Sequence, residues 1–389
     1  MELARQALCA TLVGDPADWS SLTAADWRAL PTMAQADGVL PLLAWRLEQQ
    51  GWPETMPADL KSALRLGYYS AVAQSSLIHA ELGRVLAALA PITTVVVLKG
   101  AALGPTLYPA AALRPLSDID LLVPEQDLAA ATAALQALGY AEMPELTPGI
   151  NQLVEYHSRL QGGPRGGVTV ELHWRLVAGA ADWRSPAHDW FWQQIEPWQS
   201  ERDTPPVWQL TPAAHLLYLS AHLVLQHGAG QARLIWLYDL HLLLTRHGER
   251  ISWPDTIAQA RHIHWADALH TALGAARDYF GTPLPPDLLS ALEKSTSDRA
   301  PAEFARRKAG AAPTATIGEW LKLQSLEPRA RLQFIGSLLC PSPEYIRWRY
   351  QPRPSLWPLC YPYHWLRIAL AGLEIAAHLV RQPRKPAQE

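Results

Sequence analysis

The stretch from Thr94 to Val123 reads TVVVLKGAALGPTLYPAAALRPLSDIDLLV and decides the predicted fold. It opens with a β-branched run, Val95–Val97, and we predict a first strand over residues 92–98. The strand ends in Lys99 and Gly100. A turn from a strand into glycine exposes backbone N–H groups, which suit phosphate oxygens. The first half of the stretch therefore predicts a phosphate-binding turn.

The second half of the stretch carries two carboxylates. Asp118 and Asp120 stand at the start of a predicted second strand, residues 119–123. Side chains two residues apart on a strand project from the same face, so the two carboxylates should lie close together. Like charges at such a distance repel unless a cation lies between them, and the usual cation is a divalent metal. The turn and the carboxylates together indicate metal-dependent chemistry on a nucleoside triphosphate.

A third acidic residue, Glu171, lies in the middle of a predicted third strand, residues 168–174. Alternation places Val168, Val170 and Leu172 on one face of this strand, and Thr169, Glu171 and His173 on the other. A buried glutamate is unfavourable unless it is paired or bound to a metal. Three carboxylates on adjacent strands can hold two Mg²⁺ ions, which would bridge a triphosphate and polarise an attacking hydroxyl.

Length and composition exclude several classes of protein. A chain of 389 residues is long enough for two or three domains, and its net charge of -3 gives no general reason to expect nucleic-acid binding. Cys9, Cys340 and Cys360 are too far apart for a metal motif or a disulfide framework, so we expect a cytoplasmic location. We also expect neither a signal peptide nor a membrane-spanning helix, because no sufficiently long apolar run is found.

Helical periodicity surrounds the predicted strands. A long helix should cover about residues 58–90, and Thr211-Pro212 is a typical helix start. Residues 175–210 are interpreted as a loop with short helices, and residues 295–315 as a linker. We predict four regions: N-terminal helices that pack on the core (1–90), the core itself (91–200), a helical domain (201–290), and a linker with a C-terminal helical region (291–389).

In combination, these motifs resemble a bacterial group of largely uncharacterised nucleotidyltransferases within the polymerase-β-like nucleotidyltransferase fold. The resemblance rests on Leu98-Lys99-Gly100, Leu107-Tyr108, Arg114, Asp118-Ile119-Asp120-Leu121-Leu122-Val123 and Glu171-Leu172-His173-Trp174. It extends to His215, His222, His227 and Leu237-Tyr238-Asp239-Leu240, and so covers about residues 60–285. The resemblance implies an α+β fold, in which a small mixed sheet with its helices is flanked by N-terminal helices and an all-helical C-terminal region.

The resemblance also implies the composition of the site. It makes Asp118 and Asp120 ligands of Mg²⁺ or Mn²⁺, Glu171 the third carboxylate, and Gly100 part of the triphosphate turn. The wider fold usually has Gly-Ser at this turn and Asp at the third acidic position. Ala101 follows Gly100 in this chain, so one hydroxyl contact to phosphate is missing.

Several site residues have two interpretations. Lys99 binds phosphate, or its stem covers the edge of the sheet. Arg114 neutralises a triphosphate and compensates for the missing hydroxyl, or it pairs with Asp118 structurally. His173 orients Glu171, or it is a satisfied histidine under Trp174. We favour the phosphate role for Arg114 and leave the other two open.

The histidines of the helical domain suggest a metal at first sight. His222 and His227 are five residues apart, whereas ligands on one face of an α-helix are four apart. We therefore interpret them, with Asp239, as a helix-packing network, although they could line the cleft and bind the acceptor.

Two features of the C-terminal region bear on partners. Residues 365–380 are apolar apart from Arg367 and Glu374, and basic residues follow. Such a helix can lie on an anionic membrane surface, but we favour packing on the core with a solvated basic tail. Residues 345–350 interleave aromatic and basic side chains, which is a weak nucleic-acid signal in an acidic chain.

The sequence thus predicts a metal-dependent nucleotidyltransferase. An acceptor hydroxyl would attack the α-phosphorus of an NTP, most simply ATP, and pyrophosphate would leave. Glu171 would complete the second metal site and assist deprotonation of the acceptor, which is a small molecule, a peptide, a saccharide or RNA. The alternatives are a non-catalytic nucleotide-binding protein on the same fold and a membrane-surface accessory protein.

Overall fold

A computed structural model of the chain describes residues 2–163, 167–177, 186–198, 206–293, 314–324 and 326–381. Within these ranges seven strands form one mixed sheet, in the order β3-β4-β5-β2-β1-β7-β6. The strands are β1 (Val96–Val97), β2 (Asp118–Leu122), β3 (Ala141–Glu142), β4 (His157–Gly162), β5 (Val168–His173), β6 (Ile195–Pro197) and β7 (Trp208–Leu210). The two longer central strands, β2 and β5, are neighbours in this order.

Pairing in the sheet mixes both directions. β2 runs parallel to β5 and antiparallel to β1, and β1 in turn runs parallel to β7. β4 is antiparallel to β5, with His157 opposite His173 and Arg159 opposite Glu171. Because opposite residues in neighbouring strands share a face of the sheet, polar side chains of β2, β4 and β5 meet on one side.

Helices cover both faces of the sheet. The helices that precede β6 in the chain are α1 (Glu2–Val13), α2 (Ala24–Ala36), α3 (Leu40–Gln50), α4 (Ala58–Leu89), α5 (Lys99–Leu107), α6 (Leu128–Ala137), α7 (Ile150–Val154) and α8 (Pro186–Gln193). The later helices are α9 (Pro212–Ala221), α10 (Leu234–His247), α11 (Trp253–His262), α12 (Ala266–Phe280), α13 (Leu288–Glu293), α14 (Ala315–Gln324), α15 (Pro328–Leu339), α16 (Pro343–Tyr350) and α17 (Cys360–Arg381). A π-helix, His222–His227, continues α9.

Strand alternation divides the core into two parts. Ile119 and Leu121 face the C-terminal half of α4 and helix α6. Leu122 faces the opposite way and belongs to a larger core, which joins the N-terminal helices to α9, α10 and α12. Asp118 and Asp120 share the face of Leu122, because all three occupy even positions of β2. The predicted acidic residues therefore point toward the face of the sheet that is covered by the larger core, with α9 and α10.

The observed fold confirms the predicted α+β class, with N-terminal and C-terminal helices around a mixed sheet. The predicted first strand is shorter than expected, since only Val96 and Val97 pair. Residues 175–210 also contain β6 and β7 besides helix α8, so the prediction of a loop with short helices was incomplete. The division into four regions stays a prediction, and β7 continues the sheet past residue 200. Most of the predicted linker, 295–315, lies outside the described residues.

Candidate functional site

The sheet brings the predicted acidic residues together on one face. Asp118 and Asp120 alternate on β2, and the parallel register places Asp120 opposite Glu171 of β5. His173 follows two residues after Glu171 on the same face. Asp120, Glu171 and His173 are buried, whereas Asp118 at the start of β2 is partly exposed. We name the Asp120 cluster after its central residue; its members are Lys99, Asp118, Asp120, Glu171 and His173.

Lys99 provides a cation between two of these carboxylates. Its Nζ donates a hydrogen bond of 2.7 Å to Asp120 Oδ1 and lies 4.0 Å from Glu171 Oε2. Burial alone would lower the pKa of Lys99, but the charge of Asp120 outweighs it and the pKa is raised. The side chain therefore points at the carboxylates rather than covering the sheet edge. An ammonium group lies where the sequence predicts a metal ion.

The backbone of Lys99 is strained. Its φ of 47° falls in the left-handed region, which residues other than glycine seldom adopt. Strain of this kind persists only where the surrounding structure enforces it, and it is frequent at functional sites.

His173 contacts Asp120 more closely than Glu171. Its Nε2 lies 2.9 Å from Asp120 Oδ1 and 3.7 Å from Glu171 Oε2. Burial opposes ionisation of both groups, yet the pair raises the pKa of His173 and, with Lys99, keeps the pKa of Asp120 well below its usual range. Of the two interpretations of His173, the structure thus supports the one in which it orients a carboxylate, and that carboxylate is mainly Asp120.

Two residues of β4 that the sequence did not single out hold Glu171. Arg159 Nε donates a hydrogen bond of 2.8 Å to Glu171 Oε1, and His157 Nε2 lies 3.5 Å from the same oxygen. Burial would raise the pKa of Glu171, but His173 and His157 lower it. The sequence signal that could have identified them is the alternation along His157-Ser158-Arg159-Leu160. It places one imidazole and one guanidinium on the face of the sheet that carries Glu171.

Asp118 is the carboxylate of the cluster with the least compensation. Its Oδ1 accepts a hydrogen bond of 3.1 Å from the neighbouring Ser117 hydroxyl. Burial, together with the negative charges of Asp120 and Glu171, raises the pKa of Asp118 to about 6. Lys99 lowers this pKa only in part. A further cation beside Asp118 would therefore be favoured electrostatically.

Gly100 lies in the first turn of α5, as the predicted glycine turn requires. A Cβ added at Gly100 would approach Leu116 Cδ2 to 2.7 Å and Arg114 Nη1 to 3.0 Å. The glycine is thus needed for close approach of the Arg114 side chain, and its φ is not in the left-handed region. Ala101 is 1% exposed. Phosphate binding by this turn stays a prediction.

Arg114 forms a closed ion pair with a distant residue. Its Nε and Nη2 donate hydrogen bonds of 2.9 Å and 2.8 Å to the two carboxylate oxygens of Asp239, and Nη1 donates to the carbonyl of Pro115. Tyr108 donates a further hydrogen bond of 2.7 Å to Asp239. We name Tyr108, Arg114 and Asp239 the Asp239 cluster. These contacts favour a structural role for Arg114 over the predicted phosphate contact, and its partner is Asp239 rather than Asp118.

His222 and His227 face each other, and the assumption of an α-helix was wrong at this point. The segment is a π-helix, whose hydrogen bonds join residues five apart, so the two side chains share one face. Their Nε2 atoms are 3.2 Å apart, and both rings pack on Trp236. Burial and the charge of Lys99 keep the pKa of His222 well below its usual value. The two histidines therefore form a packing network with Trp236, whereas Asp239, a member of the predicted network, pairs with Arg114 instead.

The donor atoms of the site fit a metal ion. Asp118, Asp120 and Glu171 offer carboxylate oxygens, which Mg²⁺ and Mn²⁺ prefer, and the raised pKa of Asp118 indicates negative charge left uncompensated. Among the described residues, the group whose potential ligand atoms all lie within 4.8 Å of one another is a different one, His157, Glu171 and His173. Imidazole donors suit transition metals such as Zn²⁺ better than Mg²⁺. The two sets share Glu171 and favour different ions.

A cavity of about 530 Å³ lies beside this site. His157 and Arg159 form part of its wall on the sheet side, and Tyr345, Trp348 and Arg349 contribute from the C-terminal region. The cavity thus connects side chains that hold Glu171 with the aromatic and basic segment noted in the sequence.

Comparison with known proteins gives one family match. The model of a family described as uncharacterised nucleotidyltransferase matches residues 23–281. The matched range includes the whole sheet and every member of the two clusters. No curated protein and no solved structure is detectably similar to the chain. Among the described residues, no helix combines the length and the apolar character needed to span a bilayer.

Proposed function

The chain belongs to the family of uncharacterised nucleotidyltransferases, and from that premise we propose that it transfers a nucleotidyl group from an NTP to an acceptor hydroxyl, with release of pyrophosphate. Family membership makes it a nucleotidyltransferase with an unassigned acceptor, and an NTP as the donor is part of the proposal. ATP as the NTP, a divalent metal, a hydroxyl as the attacking group and a cytoplasmic location are parts of the proposal.

One observation carries the proposal: Asp118, Asp120 and Glu171 project from one face of two paired strands, and Asp118 has a raised pKa. Carboxylates gathered in this way at a site with an uncompensated charge are suited to hold Mg²⁺ or Mn²⁺, which would supply charge stabilisation on the phosphates. Within the proposal, Glu171 also assists deprotonation of the acceptor.

The other residues of the site act on the carboxylates. Lys99 and His173 keep Asp120 ionised, because both donate to its Oδ1. Arg159 and His157 fix Glu171 from β4. Within the proposal, Lys99 would exchange its contact with Asp120 for a phosphate oxygen when a cation binds, which is the phosphate role predicted for it.

We place the acceptor in the cavity lined by His157, Arg159, Tyr345 and Trp348. Its volume suits a group of the size of one or two sugar rings or amino acids, since ligand pockets span roughly 300–1,000 Å³. The aromatic side chains offer flat apolar contact, and Arg159 links an occupant to Glu171.

Transfer of label from α-labelled NTPs tests the proposal directly. The full chain is incubated with Mg²⁺ or Mn²⁺ and a panel of saccharides, peptides, small hydroxylated molecules and RNA. Label should reach one acceptor class, and Asp118→Ala or Asp120→Ala should reduce the rate about 100-fold or more. Asp278→Ala, which removes an exposed carboxylate on α12, is the matched control and should leave the rate unchanged. Label transfer that survives both cluster variants contradicts the assignment of the site.

A second candidate, non-catalytic nucleotide binding, is favoured by the position of Lys99. An ammonium group bonded to Asp120 can replace a metal ion permanently, and Ala101 supplies no hydroxyl for phosphate. Calorimetry with a non-hydrolysable NTP separates the two functions. Tight binding that does not depend on Mg²⁺, together with no turnover on any acceptor, supports the second candidate.

A further inference from the structure

The C-terminal helix α17 has two apolar faces, of which one is open. Its inner face, which we call the packed seam, faces α14, α15 and α16. The packed seam consists of His364, Ile368, Ala371, Ile375 and His378. His364 fixes it, because its Nε2 lies 2.9 Å from the carbonyl oxygen of Leu338 and its Nδ1 lies 2.8 Å from the Tyr350 hydroxyl. The helix is therefore held on its own chain by one side only.

The opposite face, which we call the open seam, is strongly apolar and exposed. It consists of Leu359, directly before the helix, with Tyr363, Leu366, Leu370, Leu373, Ala377 and Val380. Apart from Ala377, these side chains are 54% to 85% exposed. An exposed apolar row of this length, about 32 Å at 1.5 Å per residue, is unusual on a monomer and marks an interaction surface.

The spacing within the open seam identifies the kind of partner. Successive members are four, three, four, three, four and three residues apart. An apolar period of 3.5 residues is the pattern of a coiled coil, in which a narrow seam meets a second helix. Helices that lie on membranes instead carry basic residues along the polar face. The described part of α17 has only Arg367 and Arg381 flanking the open seam, with Glu374 between them.

Those charges fit a second copy of the same helix in the opposite direction. We propose that α17 pairs with α17 of a second copy of this chain as an antiparallel, two-fold symmetric coiled coil. Apolar layers would join Leu370 to Leu373, Leu366 to Ala377, and Tyr363 to Val380 of the other copy. In the same register Arg367 of each copy faces Glu374 of the other, so that two ion pairs form by symmetry.

A parallel pair of the same helices would not bring the opposite charges together. In a parallel pair, Arg367 would face Pro362 of the second copy, and Glu374 would face Ala369. In the antiparallel pair, Ala369 and Ala376 lie together on the other flank, where their small side chains permit close approach of the helices. Glu374 Oε1 also accepts a hydrogen bond from Thr314 of its own chain, which holds the carboxylate at the edge of the seam.

Sedimentation velocity and light scattering of the full chain over a concentration series test the proposal. The expected mass is twice that of the 43.0 kDa chain. Leu370→Asp should give a monomer, whereas Leu379→Asp, on the same helix outside the seam, should remain a dimer. Arg367→Glu and Glu374→Arg should each raise the dissociation constant about tenfold or more, and the double variant should restore it. A monomeric wild type, or a double variant that is no tighter than the single ones, overturns the proposal.

Two further measurements decide direction and partner. In an antiparallel pair, spin labels on Cys360 of a variant with Cys9→Ala and Cys340→Ser should be about 35 Å apart along the helix axis. A separation below about half of that value indicates a parallel pair and overturns the proposal. Vesicles of phosphatidylcholine with phosphatidylserine probe the membrane instead. A monomer that sediments with these vesicles, and that no longer does so as Leu370→Asp, also overturns it.

Discussion

Helix α5 connects two buried charge clusters, which differ in the ratio of carboxylates to cationic side chains. Lys99 begins the helix and belongs to the Asp120 cluster, and Tyr108 follows it and belongs to the Asp239 cluster. In the Asp239 cluster one carboxylate meets one guanidinium in a bidentate contact, with a hydroxyl as third donor. In the Asp120 cluster three carboxylates share one ammonium and one imidazole, and from outside the cluster Arg159 contacts only Glu171.

The difference separates a structural ion pair from a site with capacity for a ligand. Asp239 raises the pKa of Arg114 against the effect of burial, so the charge of Asp239 is compensated by the guanidinium. Asp118 instead has a pKa raised to about 6, because its charge is not compensated. Burying a charge without a partner is unfavourable, and a chain keeps such an arrangement where it serves binding or catalysis. Variants of the two clusters should therefore differ in what they damage.

Asp239→Asn should have the largest effect on stability. It leaves the buried Arg114 guanidinium without an opposite charge, and breaking such a pair lowers the free energy of unfolding by about 3–5 kcal/mol. Urea unfolding measures this loss, with Asp278→Asn as an exposed control that should behave as wild type. NTP binding by the folded variant should be unchanged. If stability is retained while NTP binding is lost, Arg114 has the phosphate role and the contrast between the clusters fails.

Lys99→Met should give a smaller loss that metal ions reverse. Without the ammonium, Asp120 and Glu171 repel each other, and the free energy of unfolding in metal-free buffer should fall by about 2–4 kcal/mol. Mg²⁺ or Mn²⁺ should then restore stability, because a ligand that binds only the folded state stabilises it. Thermal unfolding at increasing metal concentration measures this, with Lys99→Arg as the charge-retaining control. If the melting temperature of Lys99→Met does not change with metal concentration, the Asp120 cluster has no cation site.

The sequence predicted the parts of the site that depend on local periodicity. Alternation in β2 and β5 placed Asp118, Asp120 and Glu171 on one face, and the observed register brings Asp120 opposite Glu171. The resemblance extended this to the α+β fold, which the family match supports. Helix signals such as Thr211-Pro212 were equally local, and α9 begins there. Such features need only neighbouring residues, so a single sequence contains them.

Features that depend on distant contacts could not be predicted. Arg114 meets a partner 125 residues away, and nothing near Arg114 distinguishes Asp239 from a phosphate. Strands β3, β6 and β7 have two or three residues each, which is too short for a period to emerge. His222 and His227 share a face only because the helix widens to the π form, which their sequence does not signal.

Asp118→Asn should stabilise the protein modestly, and only above a certain pH. The folded-state pKa of about 6 lies above the ordinary value of 3.8, so the folded state takes up this proton first as the pH falls. Below about pH 4 the carboxyl is neutral in both states, and variant and wild type should be equally stable. As the pH rises to 6, ionisation increasingly destabilises the wild type. Above that pH the variant should be more stable by roughly 1–3 kcal/mol.

Urea unfolding of both proteins from pH 4 to 8, in buffer with a chelator, measures this difference in stability. Repeating the measurement with Mg²⁺ tests whether Asp118 binds the metal. The metal should stabilise the wild type more than Asp118→Asn, because the amide is a weaker ligand than the carboxylate. The advantage of the variant should therefore shrink or reverse when Mg²⁺ replaces the chelator. If the two proteins have the same stability at every pH, the charge of Asp118 is compensated after all. The Asp120 cluster would then be as closed as the Asp239 cluster, and the physical reason for a cation at this site would be lost.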